Sequence, residues 1–533
     1  MLPSWRRRLI PKWRDSSITS KLPESLPVSK KITVDYDFSS IDNQNYVLKI
    51  LEEWRENKSI GGAANLLSFG HVDKLHPLIR EPAEYILKSK QYIPGHLLNL
   101  AKRISGINQD IVKQKRNPEQ TQKFYVDAAL LKKKINTNPQ DAISLVDLAR
   151  IYSSLGQNKK AERAILTAVN LYPDHRFILR SASRFFIHNN DAEQSLYLLN
   201  KSERTRNDPW LMAAQISISV ILEKPQRLIK KAKEIINSQS YSSVHMSELC
   251  GSLATIQIID GNNKDARRNF NKALAVPNDN TIAQAIWVSQ YYKMQITTKA
   301  EWFSDPLSSE AKYYNYDLLG DFEGALDAAL EWQYDEPFSI NPAIAAVYMA
   351  SILEKYEDSE KYAKRALLLH HDDINLMNNL VFALAAQNKI KEAENILGTV
   401  IKHEQHIGKV SPQSIANLGM ILYRNSDFIE GEKMYRTAIE LYEKEQDSFR
   451  KAMAISFLAK EATIAKASNA ECLRAEAKSF VKKTSSKPAE KVLSTIEGID
   501  LIDRAPSLIK PIKWKYDKER NIIILPKSKP FRE

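Results

Sequence analysis

The chain has 533 residues, of which 43% are hydrophobic and 26% charged, with 15 Gly and a formal net charge of +13. That length leaves ample chain to bury a core, and scarce glycine beside abundant Ala, Leu, Lys and Glu favours helix over an all-β fold. Two distant cysteines, Cys250 and Cys472, exclude a disulfide framework and a cysteine metal site, so a reducing cytoplasm is the expected location.

Residues 1–40 read as a basic, extended arm rich in Pro, Ser and Arg. Its densest signal is Trp5, Arg6, Arg7, Arg8, Lys12, Trp13 and Arg14, within ten residues. Arginines bind carboxylates and phosphates, and Trp stacks on bases or fills a protein pocket. These seven residues are therefore candidates for a docking arm, for nucleic-acid contact, or for a solvated segment that only keeps the chain soluble. The basic stretch lacks an apolar core, so no secretory signal is expected, and Pro3, Pro11 and Pro23 interrupt a transit-type helix. Lys31 to Phe38 alternates apolar and polar residues and predicts a short strand.

Residues 41–140 read as a degenerate helical cap. Val47, Leu48, Ile50, Leu51 and Trp54 fall on one helical face from about Asn45, and Gly61–Gly62, Gly70 and Pro77 predict breaks between short helices ending at Ile104. From 141 to 485 a repeat takes over. In residues 142–175 it carries Leu145, Leu148, Ala149, Tyr152, Gly156, Ala161, Ala164, Ala168 and Pro173. Residues 306–339 repeat the pattern through Tyr313, Tyr316, Gly320, Asp321, Ala325 and Pro337, and 412–445 through Asn417, Leu418, Gly419, Asp427, Phe428, Tyr435 and Ala438. Eroded units lie between, one losing its turn glycine to Asn190 and one with Pro209 and Pro225 each opening a helix. About nine or ten units are expected.

This spacing resembles the tetratricopeptide repeat, a helix–turn–helix unit of ~34 residues. The resemblance implies an all-α, right-handed superhelical solenoid in which small residues, Ala149 with Ala161 and Gly419 with Gly431, let paired helices approach. It also implies a partner groove lined by first helices, and the repeat register places Arg150, Tyr348, Asn378, Phe382, Met420, Tyr423 and Arg424 there. Asn417 occupies a position with a structural role in many such repeats. The family's Lys/Asn/Arg clamp for acidic C-termini has no counterpart over three consecutive units.

Residues 486–533 form a basic C-terminal tail. Pro488 to Ile502 predicts one more helix, and Ile512–Tyr516 with Asn521–Leu525 predicts a short β-hairpin. The charge follows the tails. Residues 1–31 hold eight Lys/Arg against two Asp/Glu, and 481–533 hold thirteen against seven, so each contributes +6 of the +13 and the body between is nearly neutral. That argues against a groove tracking a nucleic-acid backbone.

No phosphate loop, dinucleotide-binding glycine series, nucleophile elbow or zinc-protease motif is present. His370–His371–Asp372–Asp373, with His403 and His406, is the most metal-like cluster, but it falls at loops where polar residues are ordinary. No apolar run reaches the ~18 residues of a membrane span. The expectation is therefore a non-enzymatic scaffold or adaptor with no cofactor and no membrane span, holding a protein or peptide. Two alternatives stand beside it: a regulatory subunit restraining or recruiting a separately encoded enzyme such as a nuclease or toxin, and a nucleic-acid-associated repeat protein using its basic arm.

Overall fold

The computed structural model describes residues 43–67, 76–89, 121–238, 243–292, 309–406 and 408–497, scattered positions at 93–105 and 294–303, residue 241, and residues 515–517 and 522–524. The Trp5–Arg14 cluster and the predicted strand at Lys31–Phe38 lie outside them. The described chain is almost entirely helical and forms two compact units: residues 1–314 with 331–339, and residues 315–330 with 340–533.

Unit 1 begins with α1 (Asn43–Glu56), α2 (Ile60–Leu67) and α3 (His76–Lys88), which share a core around Leu51, Trp54, Leu66, Ile79 and Ile86. Gly61–Gly62, read as a break, instead lie in the first turn of α2. A Cβ on Gly62 would come within 2.7 Å of the Trp54 ring, so glycine permits the indole to pack there. The Trp54 indole also donates to the Ser59 carbonyl at 2.9 Å, and Ser59 caps the Gly62 amide at 3.0 Å. Next comes α4 (Thr121–Thr137), whose Phe124, Ala128 and Leu131 cover Leu148 and Ile151 of the first repeat.

The repeats are paired helices. In unit 1 they are α5/α6 (Ala142–Ser154, Asn158–Leu171), α7/α8 (Arg176–His188, Ala192–Lys201), α9/α10 (Pro209–Ile221, Ile229–Ser238) and α11/α12 (Ser243–Ile259, Asn263–Ala273), followed by α13 (Asp279–Tyr292). The pair α14/α15 (Ser309–Leu319, Phe322–Asp335) contributes to both units. Unit 2 continues with α16/α17 (Ile340–Ile352, Tyr356–Leu367), α18/α19 (Ile374–Ala386, Ile390–His406), α20/α21 (Pro412–Arg424, Phe428–Lys444), α22/α23 (Ser448–Ile464, Ala470–Thr484) and α24 (Lys487–Glu497). Two three-residue strands follow, β1 (Lys515–Asp517) and β2 (Ile522–Ile524), paired antiparallel with Tyr516 opposite Ile523.

One backbone device marks each hairpin. The turn residue takes a left-handed φ: Gly156, Gly261 and Gly320, but also Asn190, Glu223, Glu354, Asn388, Ser426 and Lys466. The amide after it then reaches back to the last turn of the first helix. Thus Gln157 donates to Tyr152, Asp191 to Phe186, Lys355 to Ala350 and Asp427 to Leu422, all at 2.8–2.9 Å. The turn at Asn190 is therefore kept without its glycine. Pro225, read as opening a helix, sits in the turn instead, because the left-handed Glu223 puts it four residues before α10.

Only glycine takes this φ without steric cost. Ser426 is exposed with φ 64°. Ser426→Gly should therefore stabilise the fold by about 0.5 kcal/mol, the relief of side-chain strain exceeding the added freedom of the unfolded chain. The urea midpoint should rise, and an unchanged or lower midpoint would show that the serine is unstrained.

Helix starts are capped by side chains. Asp141, Asp208, Asp373, Ser411 and Asp447 each accept amides from the first turn of the helix that follows. Asp373 belongs to the metal-like cluster and is used here as a cap. Helix–helix approach is close between α20 and α21, where a Cβ on Gly419 would meet Tyr435 at 2.8 Å and one on Gly431 would meet Tyr423 at 2.7 Å.

Candidate peptide-binding surface

In unit 1 the first helices α5, α7, α9, α11 and α13 neighbour one another in order, so they line one continuous face. Three arginines on α7, Arg176, Arg180 and Arg184, recur every four residues among mostly apolar neighbours, and all are buried. Each meets a carboxylate from elsewhere. Arg176 lies 2.6 Å from Asp208, which Arg204 also approaches at 3.0 Å. Arg184 lies 2.8 Å from Glu336. Arg180 stacks on the Trp210 ring at 4.4 Å and stands 3.7 Å from Glu248. That carboxylate is already taken by the amides of Asn278 and Asn280 at 2.8 and 2.9 Å.

Burial alone would raise the Asp208 carboxyl, but Arg176 and Arg204 outweigh it and bring it down to about 2. Burial, with Arg204 and Arg176 nearby, holds His175 well below the usual imidazole range, so it is neutral in the fold. In both cases the unfolded chain binds the proton first, so stability falls as pH falls. The His175 contribution declines below about pH 6.5. The Asp208 contribution, roughly 2 kcal/mol, is complete above about pH 4 and is lost towards pH 2. Urea midpoints followed against pH should show the lower step shrink in Asp208→Asn, where Glu360, also held at about 2, still contributes, and the upper one shrink in His175→Gln. Unchanged profiles would contradict this assignment.

The last turn of α15 and the loop after it, residues 331–339, sit on this face. Arg150 donates to the Tyr334 carbonyl at 3.3 Å and lies 5.5 Å over its ring, which stacks on Phe124 at 6.1 Å. Glu336 takes Arg184 and the Trp332 indole on the same oxygen, both at 2.8 Å. Phe338 is buried in the core of α5–α12, with its ring 5.4 Å from that of His188.

In unit 2 the corresponding face is filled by its own side chains. Phe382 on α18 meets Phe457 on α22 at 4.8 Å and Tyr356 at 6.2 Å. Arg424 makes a two-pronged pair with Glu461 at 2.6 and 2.8 Å. Burial opposes the Arg424 charge, and Glu461 more than restores it. Lys460 pairs with Glu354 and reaches the Tyr356 hydroxyl and Thr495 of α24, each at 3.2 Å. Burial likewise opposes the Lys460 charge, and Tyr356 and Glu354 overcome it. Asn378, Ser414 and Asn417 form a buried amide–hydroxyl network.

The seven residues placed by register thus have distinct situations. Asn378, Phe382 and Arg424 are engaged across the first helices of unit 2. Met420 and Tyr423 are buried, Tyr423 against Gly431 and the Tyr435 ring. Tyr348 is half-buried on α16. Arg150, in unit 1, holds Tyr334. Sequence reasoning missed Arg180, Arg184, His188 and Glu336. Among the described residues no group of three or more His, Cys, Asp or Glu is placed to hold a metal ion, and no helix is long and apolar enough to cross a membrane.

Two family models for the tetratricopeptide repeat match this chain, over residues 142–175 and 413–445. Both segments are tetratricopeptide repeats. The matched segments correspond to α5/α6 in unit 1 and to α20/α21 in unit 2, and the hairpins between them share their turn geometry. Tetratricopeptide-repeat domains bind protein partners. A crystal structure of yeast Tom70 is similar at 14% identity and a TM-score of 0.30, over 71% of this chain and 93% of that one. No curated protein matches the sequence.

Proposed function

We propose that this tetratricopeptide-repeat protein is a non-enzymatic scaffold that holds a protein or peptide partner on the face lined by its first helices. The observation that carries this reading is the recurrence of one repeat device, a left-handed turn with its returning amide, from Gly156 to Lys466. It recurs in both matched segments, and within each unit it places successive first helices beside one another. A preformed surface of this kind binds through many modest contacts, with affinity concentrated in aromatic and arginine anchors. Arg150 on the face of unit 1, and Tyr348 and Phe382 on the face of unit 2, are the sequence-selected candidate anchors, each taken within its own unit. Met420, Tyr423, Asn378 and Arg424 act beneath them by fixing helix spacing.

The cysteines fit a reducing cytoplasm: both are free, and burial pushes the Cys250 thiol up to about 12, which makes it inert. Purification of the intact tagged chain, followed by mass spectrometry, tests the scaffold reading. A protein recovered in stoichiometric amount, and retained at 0.5 M salt (on the order of three times physiological ionic strength), is the expected result. Nucleic acid alone, lost as salt rises, would instead assign the binding to charge.

A further inference from the structure

Residues 331–339 occupy the first-helix face of unit 1 in the manner of a bound peptide. Three side chains at alternate positions are each received separately: Tyr334 by Phe124 and Arg150, Glu336 by Arg184, and Phe338 by the core beside His188. The receiving groups come from α4, α5 and α7. The charge pair is the informative contact. Replacing a buried ion pair with apolar residues is often neutral or stabilising, so packing alone does not require Arg184 and Glu336. What the pair supplies is selectivity for a carboxylate at that place.

A second observation points the same way. Arg180, one turn before Arg184, is 2% exposed, and its Nε and Nη1 have no hydrogen-bond partner among the described residues. It lines a recess with Trp210, Ser217, Glu248 and Asn280, too tight for a water molecule in this state. Asn278 and Asn280 occupy the Glu248 oxygens, and Arg180 reaches that carboxylate only at 3.7 Å through Nη2, so its Nε and Nη1 make no hydrogen bond. A buried donor without a partner is costly. The carboxylate of Glu336 goes to Arg184 and leaves that cost unrelieved in the resident segment.

We infer that the first-helix face of unit 1 is a site for a linear acidic–aromatic peptide, with an aromatic residue, a carboxylate two positions on and a second aromatic two further. Residues 331–339 are its resident occupant, displaced by a partner of that chemistry. This rests on the scaffold reading above and names the partner's chemistry.

The test uses a fluorescent peptide with the sequence of residues 331–339, and a second in which its Glu336 equivalent is glutamine. Anisotropy is read with the full-length wild-type chain and with full-length Tyr334→Ala/Glu336→Gln, whose resident segment is weakened. The variant should bind the acidic peptide at least tenfold more tightly than wild type does, and at least tenfold more tightly than it binds the glutamine peptide. Equal affinities in either comparison overturn the inference. Hydrogen exchange on the wild-type chain asks the same question without a variant: saturating acidic peptide should speed exchange of amides in 331–339, and unchanged exchange overturns it. If a stoichiometric protein partner is recovered while the peptide fails both assays, this inference falls and the scaffold reading stands. If no partner is recovered either, both fall.

Discussion

Arg184→Met should destabilise unit 1 by about 3–5 kcal/mol, because it leaves the carboxylate of Glu336 buried without its cation. Glu336 is 3% exposed, and the Trp332 indole, another of its hydrogen-bond partners, carries no charge to replace the guanidinium. The same argument makes the double variant Arg184→Met/Glu336→Met much milder, since two apolar side chains fill the volume with nothing left to solvate. Guanidinium unfolding of the wild type, both single variants and the double closes the cycle. A large coupling energy with a near-normal double variant is expected. Additive losses would mean that the two residues act through unrelated contacts.

Gly431→Val is the second large effect, at about 3 kcal/mol. A Cβ at this position would stand 2.7 Å from the Tyr423 ring, 3.0 Å from the Gly419 carbonyl and 3.1 Å from the Tyr423 amide. The ring can rotate, but the two backbone atoms belong to α20 and move only if the helices separate. Tyr435 stands in the mirror relation to Gly419, so separating them also uncovers that ring. Gly431→Ala should cost less, and the fully buried Ala161, at the second-helix place of the 142–175 repeat, shows that alanine is accommodated in a sister hairpin. Melting of full-length variants separates these cases. A valine variant as stable as wild type would show that the helix pair is not closely packed there.

The repeat was legible because its signals are local. Gly156, Gly320 and the Gly419/Gly431 pair lie at fixed offsets within ~34 residues, and side chains at those offsets must touch within one hairpin. Turns built on Glu223, Glu354 and Ser426 were not legible, because those residues carry no composition cue for a left-handed φ. The binding face was less legible for a different reason. Arg176, Arg180 and Arg184 did offer a signal, a charged stripe on an apolar helix, which could have been read as buried cations in need of partners. The partners themselves could not be read. Asp208 lies 32 residues from Arg176, about one repeat on, but the register alone does not say which side chains meet; Glu336 lies 152 residues from Arg184, a distance that repeat register does not encode. Arg424, which the register selects as an anchor, is held through Nε and Nη2 by Glu461, 37 residues on in the next repeat.

The direct test of the scaffold account is photocrosslinking from defined positions on the intact chain. A photoreactive amino acid at Tyr348, half-buried on the first helix α16, is compared with one at Ile429, 84% exposed on the second helix α21. The scaffold reading expects the Tyr348 position to capture one partner protein in good yield and the Ile429 position to capture little of it. Capture that is equal at both positions, or confined to Ile429, would contradict binding on the first-helix face.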